Sequence, residues 1–354
     1  MLRRTSVRPR VAIATASLAL GALGAGTLTP GCASAGPRVS RTPEAAIGPI
    51  ERSQARERAI AALERYAGDP NPVVRGNALE GLLEAPGRAS PVLRRALNDE
   101  SPGVRAIALM AIGRAERASL LDDAEPLLRD PSPYVRLSAV YAMAANRAPR
   151  QMSTLADAVL EADDPRLRAH AAVILGELGN ESALPLLRQA ARRPMRLADP
   201  VQLQLMRLQM GEAMVKLGDE AQVHPLRAAL YPARPEELEA AALAARILGE
   251  VRDRGSVDQL ILLTAKEDET GRKLPPEVRL SAVYALAEIG QPQGFFIAEE
   301  YLAHPSPQVR ALAALSLGRT GQARHLPVLE GMLADADPAV RVHAAAAVVR
   351  LTRP

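Results

Sequence analysis

Arginine is the side chain with which this sequence could do most of its chemistry. It returns at Arg75, Arg105, Arg136, Arg168, Arg207, Arg279, Arg310 and Arg341, with Leu238 in the same place once. The spacings run from 30 to 32 residues, broken by 39 before Arg207 and 41 before Arg279. One guanidinium per unit on one face would form a basic stripe for an anion. A structural role is the stronger reading, because Asp69, Asp99, Asp130 and Asp335 each stand six residues before an arginine, where an ion pair could tie a turn to the next helix. The five histidines, His170, His224, His304, His325 and His343, form no HExxH and no i,i+4 pair, and Cys32 is the only cysteine, so no metal site is expected. His170 and His343 each stand two residues after a repeat arginine and read as solvent-facing. There is no Gly-rich phosphate loop, no G-x-S-x-G and no pair of carboxylates in an apolar setting. The expectation is a chain that is not an enzyme, with no catalytic residue, no cofactor and no small-molecule substrate.

The elements that carry these arginines follow from what precedes them. A proline lies three residues earlier at Pro72, Pro102, Pro133, Pro165, Pro235, Pro276, Pro307 and Pro338, often behind Asn71, Ser101, Ser132, Asp164, Ser306 or Asp337. An oxygen-bearing cap followed by proline starts a helix, since the cap satisfies a free N–H and proline lacks one. Apolar residues then recur at helical spacing, as Val104, Ala108, Leu109 and Ile112 do around Arg105. The third place after the arginine is alanine in eight units of nine, with Met210 the exception, which lets neighbouring helices approach closely. A second apolar segment, such as Val257 to Leu263 or Leu326 to Leu333, precedes each of these helices. Each unit is therefore a helical hairpin that cannot bury both faces alone, and the units must stack.

With these features in place, Asp130-Pro131-Ser132-Pro133-Tyr134-Val135-Arg136 with Ala139, and His304-Pro305-Ser306-Pro307-Gln308-Val309-Arg310 with Ala313, Leu317 and Gly318, resemble HEAT-like repeats, in the short form first recognised in phycobilin lyases. The resemblance implies an all-α, right-handed α-solenoid of about nine HEAT-like hairpins over residues 53–354. It also implies a curved surface that binds protein partners, with a minority of relatives being enzymes or nucleic-acid binders. The alternative function is accordingly a lyase-like or other enzyme sharing the repeat.

The N-terminal part differs. Arg3, Arg4, Arg8 and Arg10 account for the whole formal charge of +4, and an apolar run of small residues follows at 11–25. This is the layout of a secretory signal rather than of a spanning helix, which needs about 20 apolar residues. Leu28-Thr29-Pro30-Gly31-Cys32 resembles the lipobox of bacterial lipoproteins, although Thr29 stands where that family usually has leucine. The resemblance implies lipidation at Cys32, a signal peptide over 1–31 and a polar tether over 32–52, hence membrane attachment in a bacterial cell envelope; Ala33 favours an outer membrane. The competing reading cuts after Ala35 and releases a soluble periplasmic protein. Without the leader the charges balance, and aromatics make up only 2% of the chain, so no nucleic acid is expected as partner.

The two long spacings place insertions at the hairpin turns Ala191–Val201 and Thr264–Pro275, on one rim of the solenoid. Arg192, Arg193, Met195 and Arg196 on the first and Lys266, Arg272 and Lys273 on the second are the candidate partner-binding residues. The function expected is a lipid-anchored or exported scaffold for protein–protein interaction. Long surface loops also drift at little cost, each doubling adding only about 0.6 kcal/mol.

Overall fold

The computed structural model describes residues 48–195, 198–267 and 271–353. The leader, Cys32 and most of the tether lie outside the described residues. Among the described residues eighteen α-helices follow one another in pairs. The first members are α1 (Pro49–Tyr66), α3 (Pro86–Ala96), α5 (Leu121–Ala124), α7 (Ser153–Glu161), α9 (Leu184–Arg192), α11 (Val223–Ala228), α13 (Val257–Ala265), α15 (Phe295–Glu300) and α17 (Leu326–Gly331). The second members are α2 (Pro72–Leu82), α4 (Pro102–Arg114), α6 (Pro133–Ala145), α8 (Pro165–Leu178), α10 (Pro200–Lys216), α12 (Leu238–Glu250), α14 (Pro276–Ile289), α16 (Pro307–Arg319) and α18 (Pro338–Leu351). Helix α1 begins at Pro49, inside the stretch assigned to the tether. Among the described residues the sole extended pairing is an isolated bridge between Glu267 and Lys273.

Proline opens eight of the nine second helices, seven of them at the expected place; Pro200 opens α10, Pro235 opens only a short 3-10 turn before α12, and the caps divide. Asn71, Asp164 and Asp337 accept from the backbone N–H two residues on. Ser101, Ser132 and Ser306 make no such bond. Instead Asp99 and Asp130 accept the backbone N–H of Ser101 and Ser132, both at 2.8 Å, so the turn is fastened one step earlier. Part of the first insertion is itself helix: Asp199 caps and Pro200 opens α10, which gains about one turn over its counterparts.

The arginine ladder is structural, in a different register from the one expected. Arg75 donates to the backbone carbonyl of Asp69 in its own turn at 2.9 Å, but its ion pair is bidentate with Asp99 of the following unit at 2.7 and 2.8 Å. Arg105 repeats this with the Asp99 carbonyl and the Asp130 carboxylate, and Arg310 with the His304 carbonyl and the Asp335 carboxylate. The ion pair thus stitches unit to unit, and the hairpin turn is held by a backbone carbonyl.

Close packing also corrects the repeat register. A Cβ added to Gly176 would lie 2.8 Å from the Cα of Ala213, and at Gly318 2.7 Å from that of Ala347. Both glycines stand eight residues after a repeat arginine. Gly249 meets Ala285 in the same way, at 2.7 Å, which puts Ala241 and not Leu238 in the arginine place of the sixth unit.

The stack closes on itself. Each second helix packs on the next, and the last, α18, packs on α1 and α2. Across this seam Arg56 donates to the Val349 carbonyl at 2.6 Å, Arg58 pairs with Glu330 at 2.5 Å, and Arg350 with Glu84 at 3.2 Å. Arg341, the last rung of the ladder, donates to the Tyr66 hydroxyl of the first hairpin. Nine hairpins form a ring with the second helices inside and the first helices outside. Among the described residues no helix is long and apolar enough to cross a membrane.

Candidate functional site

The inner helices line a lumen, and its contents follow from the corrected register. Nine residues after the arginine place stand Glu84, Arg114, Ala145, Glu177, Lys216, Glu250, Glu288, Arg319 and Arg350. Eight of these nine positions are ionisable types at or just past the end of a second helix, and four of them, Arg114, Glu177, Glu250 and Arg319, directly follow a glycine in close approach to the next unit. One turn before them, Glu80, Glu212 and Arg246 point to the same region. The charges alternate closely enough to pair across units. Lys216 lies 2.7 Å from Glu177 and also bonds Glu212, while Arg319 lies 2.8 Å from Glu288, which Arg350 reaches at 3.2 Å.

Three of the group do not pair. Among the described residues Glu80, Arg246 and Glu250 make no hydrogen bond or ion pair with the protein, and Arg246 has only the Tyr284 ring, 5.8 Å away. Glu80 and Glu250 keep part of their surface open to the lumen, yet protein surrounds them. Desolvation pushes the Glu80 carboxyl up to about 7 against the pull of Arg114, Arg246 and Arg319. Desolvation, with the charge of Glu212 beside it, pushes Glu250 up to about 8. Both shifts move these carboxyls toward neutrality, the range that suits an acid or base acting on a bound molecule.

Glu212, Arg246 and Glu250 stand at one end of a cavity of about 390 Å³ between α4, α8, α10 and α12. Its wall is largely apolar, with Val173, Leu205, Met206, Leu243 and Ile247, and also carries Gln202, Gln209, Arg166 and Glu239. At the other end the Ser138 hydroxyl lies 3.0 Å from His170 Nε2, the Tyr134 ring lies 5.6 Å from the imidazole, and the Tyr134 hydroxyl donates to Asp164 at 2.6 Å. His170 is buried, and desolvation pushes it down to about 4, so it is neutral. The expectation of solvent-facing histidines is corrected: the second place after the arginine faces the lumen, and His343 lines a smaller cavity of about 70 Å³ beside Glu80 and Glu84.

The residues proposed on the rim are not brought together with this site. Arg192 is exposed at the end of α9. Arg193 pairs with Glu161 of the preceding hairpin at 2.6 Å, and Met195 packs against the core. Arg196 lies outside the described residues. Lys266 donates to the Pro232 carbonyl at 2.9 Å, again in the preceding hairpin, and Arg272 and Lys273 are exposed. Each insertion leans back on its neighbour. Among the described residues no group of three His, Cys, Asp or Glu side chains could hold a metal ion.

The family model for HEAT repeats matches residues 90–173, 121–198 and 271–350, more than half of the chain. The chain belongs to the HEAT-repeat family. No curated protein matches this HEAT-repeat chain. Solved structures similar to it include human deoxyhypusine hydroxylase in complex with glycerol, at 18% identity and a TM-score of 0.36, covering 86% of this chain and 99% of that one. YibA of Escherichia coli is 15% identical with a TM-score of 0.33, covering 89% and 100%. The complex of CpcE and CpcF of phycocyanin lyase from Nostoc sp. PCC7120 is 18% identical with a TM-score of 0.29, covering 90% and 97%. The expectation of a chain that is not an enzyme is corrected by these neighbours. Two of the three carry enzyme names. The other ground for that expectation also falls, because Glu212 and Glu250 do form a carboxylate pair at an apolar cavity.

Proposed function

We propose that this HEAT-repeat ring binds a small organic molecule in its lumen, as a ligand or as a substrate. The observation that carries the reading is the cavity between α8, α10 and α12: a largely apolar wall of small-ligand size, ending on Arg246 and Glu250, which make no hydrogen bond or ion pair within the described residues. Pockets of roughly 300–1,000 Å³ with few, convergent polar groups are where proteins hold small molecules. As a substrate site, Glu250 is the group placed to take or give a proton, with Arg246 beside it to hold developing negative charge.

The test uses a neutral, environment-sensitive fluorophore, N-phenyl-1-naphthylamine. It is expected to brighten on mixing with the protein and to lose at least tenfold in affinity in Leu205→Trp and Leu243→Trp, which fill the lumen from partly open positions. Brightening that both variants leave unchanged overturns the reading.

A second reading has its own observation. Ile261, Leu262, Phe296 and Val328 are exposed apolar residues on α13, α15 and α17, three successive outer helices, and support contact with a protein partner there. The scaffold role, lipidation at Cys32 and residence in a bacterial envelope belong to this proposal. The mass of the mature N-terminus tests the anchor, since only the attached form keeps an acylated Cys32.

A further inference from the structure

We propose that the lumen takes a free α-amino acid with a large apolar side chain, its carboxylate on Arg246 and its ammonium on Glu250. This rests on the lumen being a small-molecule site and names the class of molecule.

Arg246 and Glu250 are four residues apart on α12, one turn, and line the same cavity. Opposite charges at this spacing ordinarily pair along a helix, as Lys216 and Glu212 do on α10. Arg246 and Glu250 instead stand apart, both opening on the cavity. A ligand with one positive and one negative group satisfies both at once. A ligand with only one charge meets one of the two side chains and leaves the other as it was. Uncompensated charge in a desolvated site is disfavoured. The part of the wall formed by Val173, Leu205, Met206, Leu243 and Ile247 is suited to a hydrocarbon or thioether side chain, since these residues present no hydrogen-bonding group, while Gln202, Gln209, Arg166 and Glu239 line other parts of the cavity.

The groups facing the Glu250 carboxyl are Glu212 and Lys216 from α10, Glu177 from α8 and Arg246 from its own helix. Together they leave it holding its proton near neutrality. An ammonium beside it favours the ionised form, so that binding at pH 7 drives a proton from Glu250 into solution while the Arg246 contact moves none.

The test is calorimetric titration of the intact protein at pH 7 with L-leucine, its cationic amide and its anionic N-acetyl derivative, in two buffers of different ionisation enthalpy. Leucine is expected to bind at least tenfold more tightly than either derivative, with net proton release read from the difference between buffers. Glu250→Gln is expected to weaken leucine at least tenfold and to abolish the release. Arg246→Met should weaken leucine similarly and keep the release, and circular dichroism checks that both variants fold. The amide or the N-acetyl derivative binding as tightly as leucine overturns the zwitterion. So does no binding of any of the three while the neutral fluorophore still enters the lumen, a result that leaves the small-molecule reading standing. Loss of the fluorophore's dependence on Leu205 and Leu243 marks the failure of that reading instead.

Discussion

The ring carries two sets of charges, and they are arranged on opposite principles. In the ladder, Arg75, Arg105 and Arg310 each meet a carboxylate with two hydrogen bonds and a backbone carbonyl with a third. In the lumen, side chains of the same types stop short of one another at Glu80, Arg246 and Glu250. The carboxylates register the difference. Asp335 is held below the ordinary range, first by its bond to Arg310, whereas Glu80 and Glu250 are pushed up by desolvation. A charge completed by its own protein stabilises the stack; one left incomplete in a cavity is available to something else.

The largest effect expected on this contrast comes from breaking a rung. Arg75→Ala removes a bidentate ion pair and a carbonyl bond from a side chain only 8% exposed, and leaves Asp99 without its counterion. A loss of about 3 kcal/mol in urea-unfolding stability is expected, since removing one partner of a buried pair strands the other. Glu250→Gln, which also deletes a charge, is expected to leave stability at pH 7 unchanged or raised, because the ionised form was the disfavoured one. Equal losses in the two variants would dissolve the distinction between ladder and lumen.

Next in size is the pH dependence, in which the two regions have opposite signs. Glu80 binds its proton more tightly in the folded protein than its ordinary value of 4.5, so the folded state holds more protons than the unfolded one between pH 4.5 and about 7. That contribution is complete below 4.5 and is lost as pH rises through about 7. Glu250 behaves likewise up to about 8. A decline on the order of 1–2 kcal/mol from pH 5 to 8 is expected, discounted for the access of water to the lumen. It should flatten in the double variant Glu80→Gln, Glu250→Gln. Asp335 acts in the other sense: its contribution is present above 3.8 and disappears as pH falls below it. Arg310→Ala should therefore lower stability above pH 5 without changing its slope there, and the gap to the parent protein should close as pH falls below 3.8.

How much of this could be read in the sequence depended on how local each cause is. Proline at a helix start and alanine three places after the arginine act within one turn, and the hairpins stand where they place them. Closure does not lie in any one residue; it is the sum of small rotations over nine interfaces, so Arg341 and Tyr66, 275 positions apart, gave no sign of meeting. The lumen charges did have a signal, in Gly113-Arg114, Gly176-Glu177, Gly249-Glu250 and Gly318-Arg319. It was hidden because a charged residue at a helix end reads as solvated, and because Pro235 set the sixth unit three residues out of register. His170 was misplaced for a related reason: an inner helix has a third face, toward the lumen, that a two-sided amphipathic pattern does not contain.

The seam allows the contrast to be sharpened where the ladder passes from the last unit to the first. Here Arg341 meets the Tyr66 hydroxyl and makes no hydrogen bond or ion pair with Asp69, which holds the aspartate place, so the final rung is one neutral hydroxyl accepting from Arg341 and not a bidentate carboxylate. Tyr66→Phe keeps the ring packing and removes this acceptor, for an expected loss of about 1 kcal/mol, a third of that for Arg75→Ala. Arg58 pairs with Glu330 across the same seam from a side chain 57% exposed, and Arg58→Ala is expected to cost no more than about 0.5 kcal/mol. Hydrogen exchange at α18 separates a seam that merely touches from one that closes. If the ring is closed in solution, Tyr66→Phe speeds exchange on α18 and α2 together, because each is the other's inner neighbour. Faster exchange on α18 alone would mean that the last helix frays as the end of an open stack, and the lumen would then lose the wall that Glu80, Glu84 and Arg350 provide.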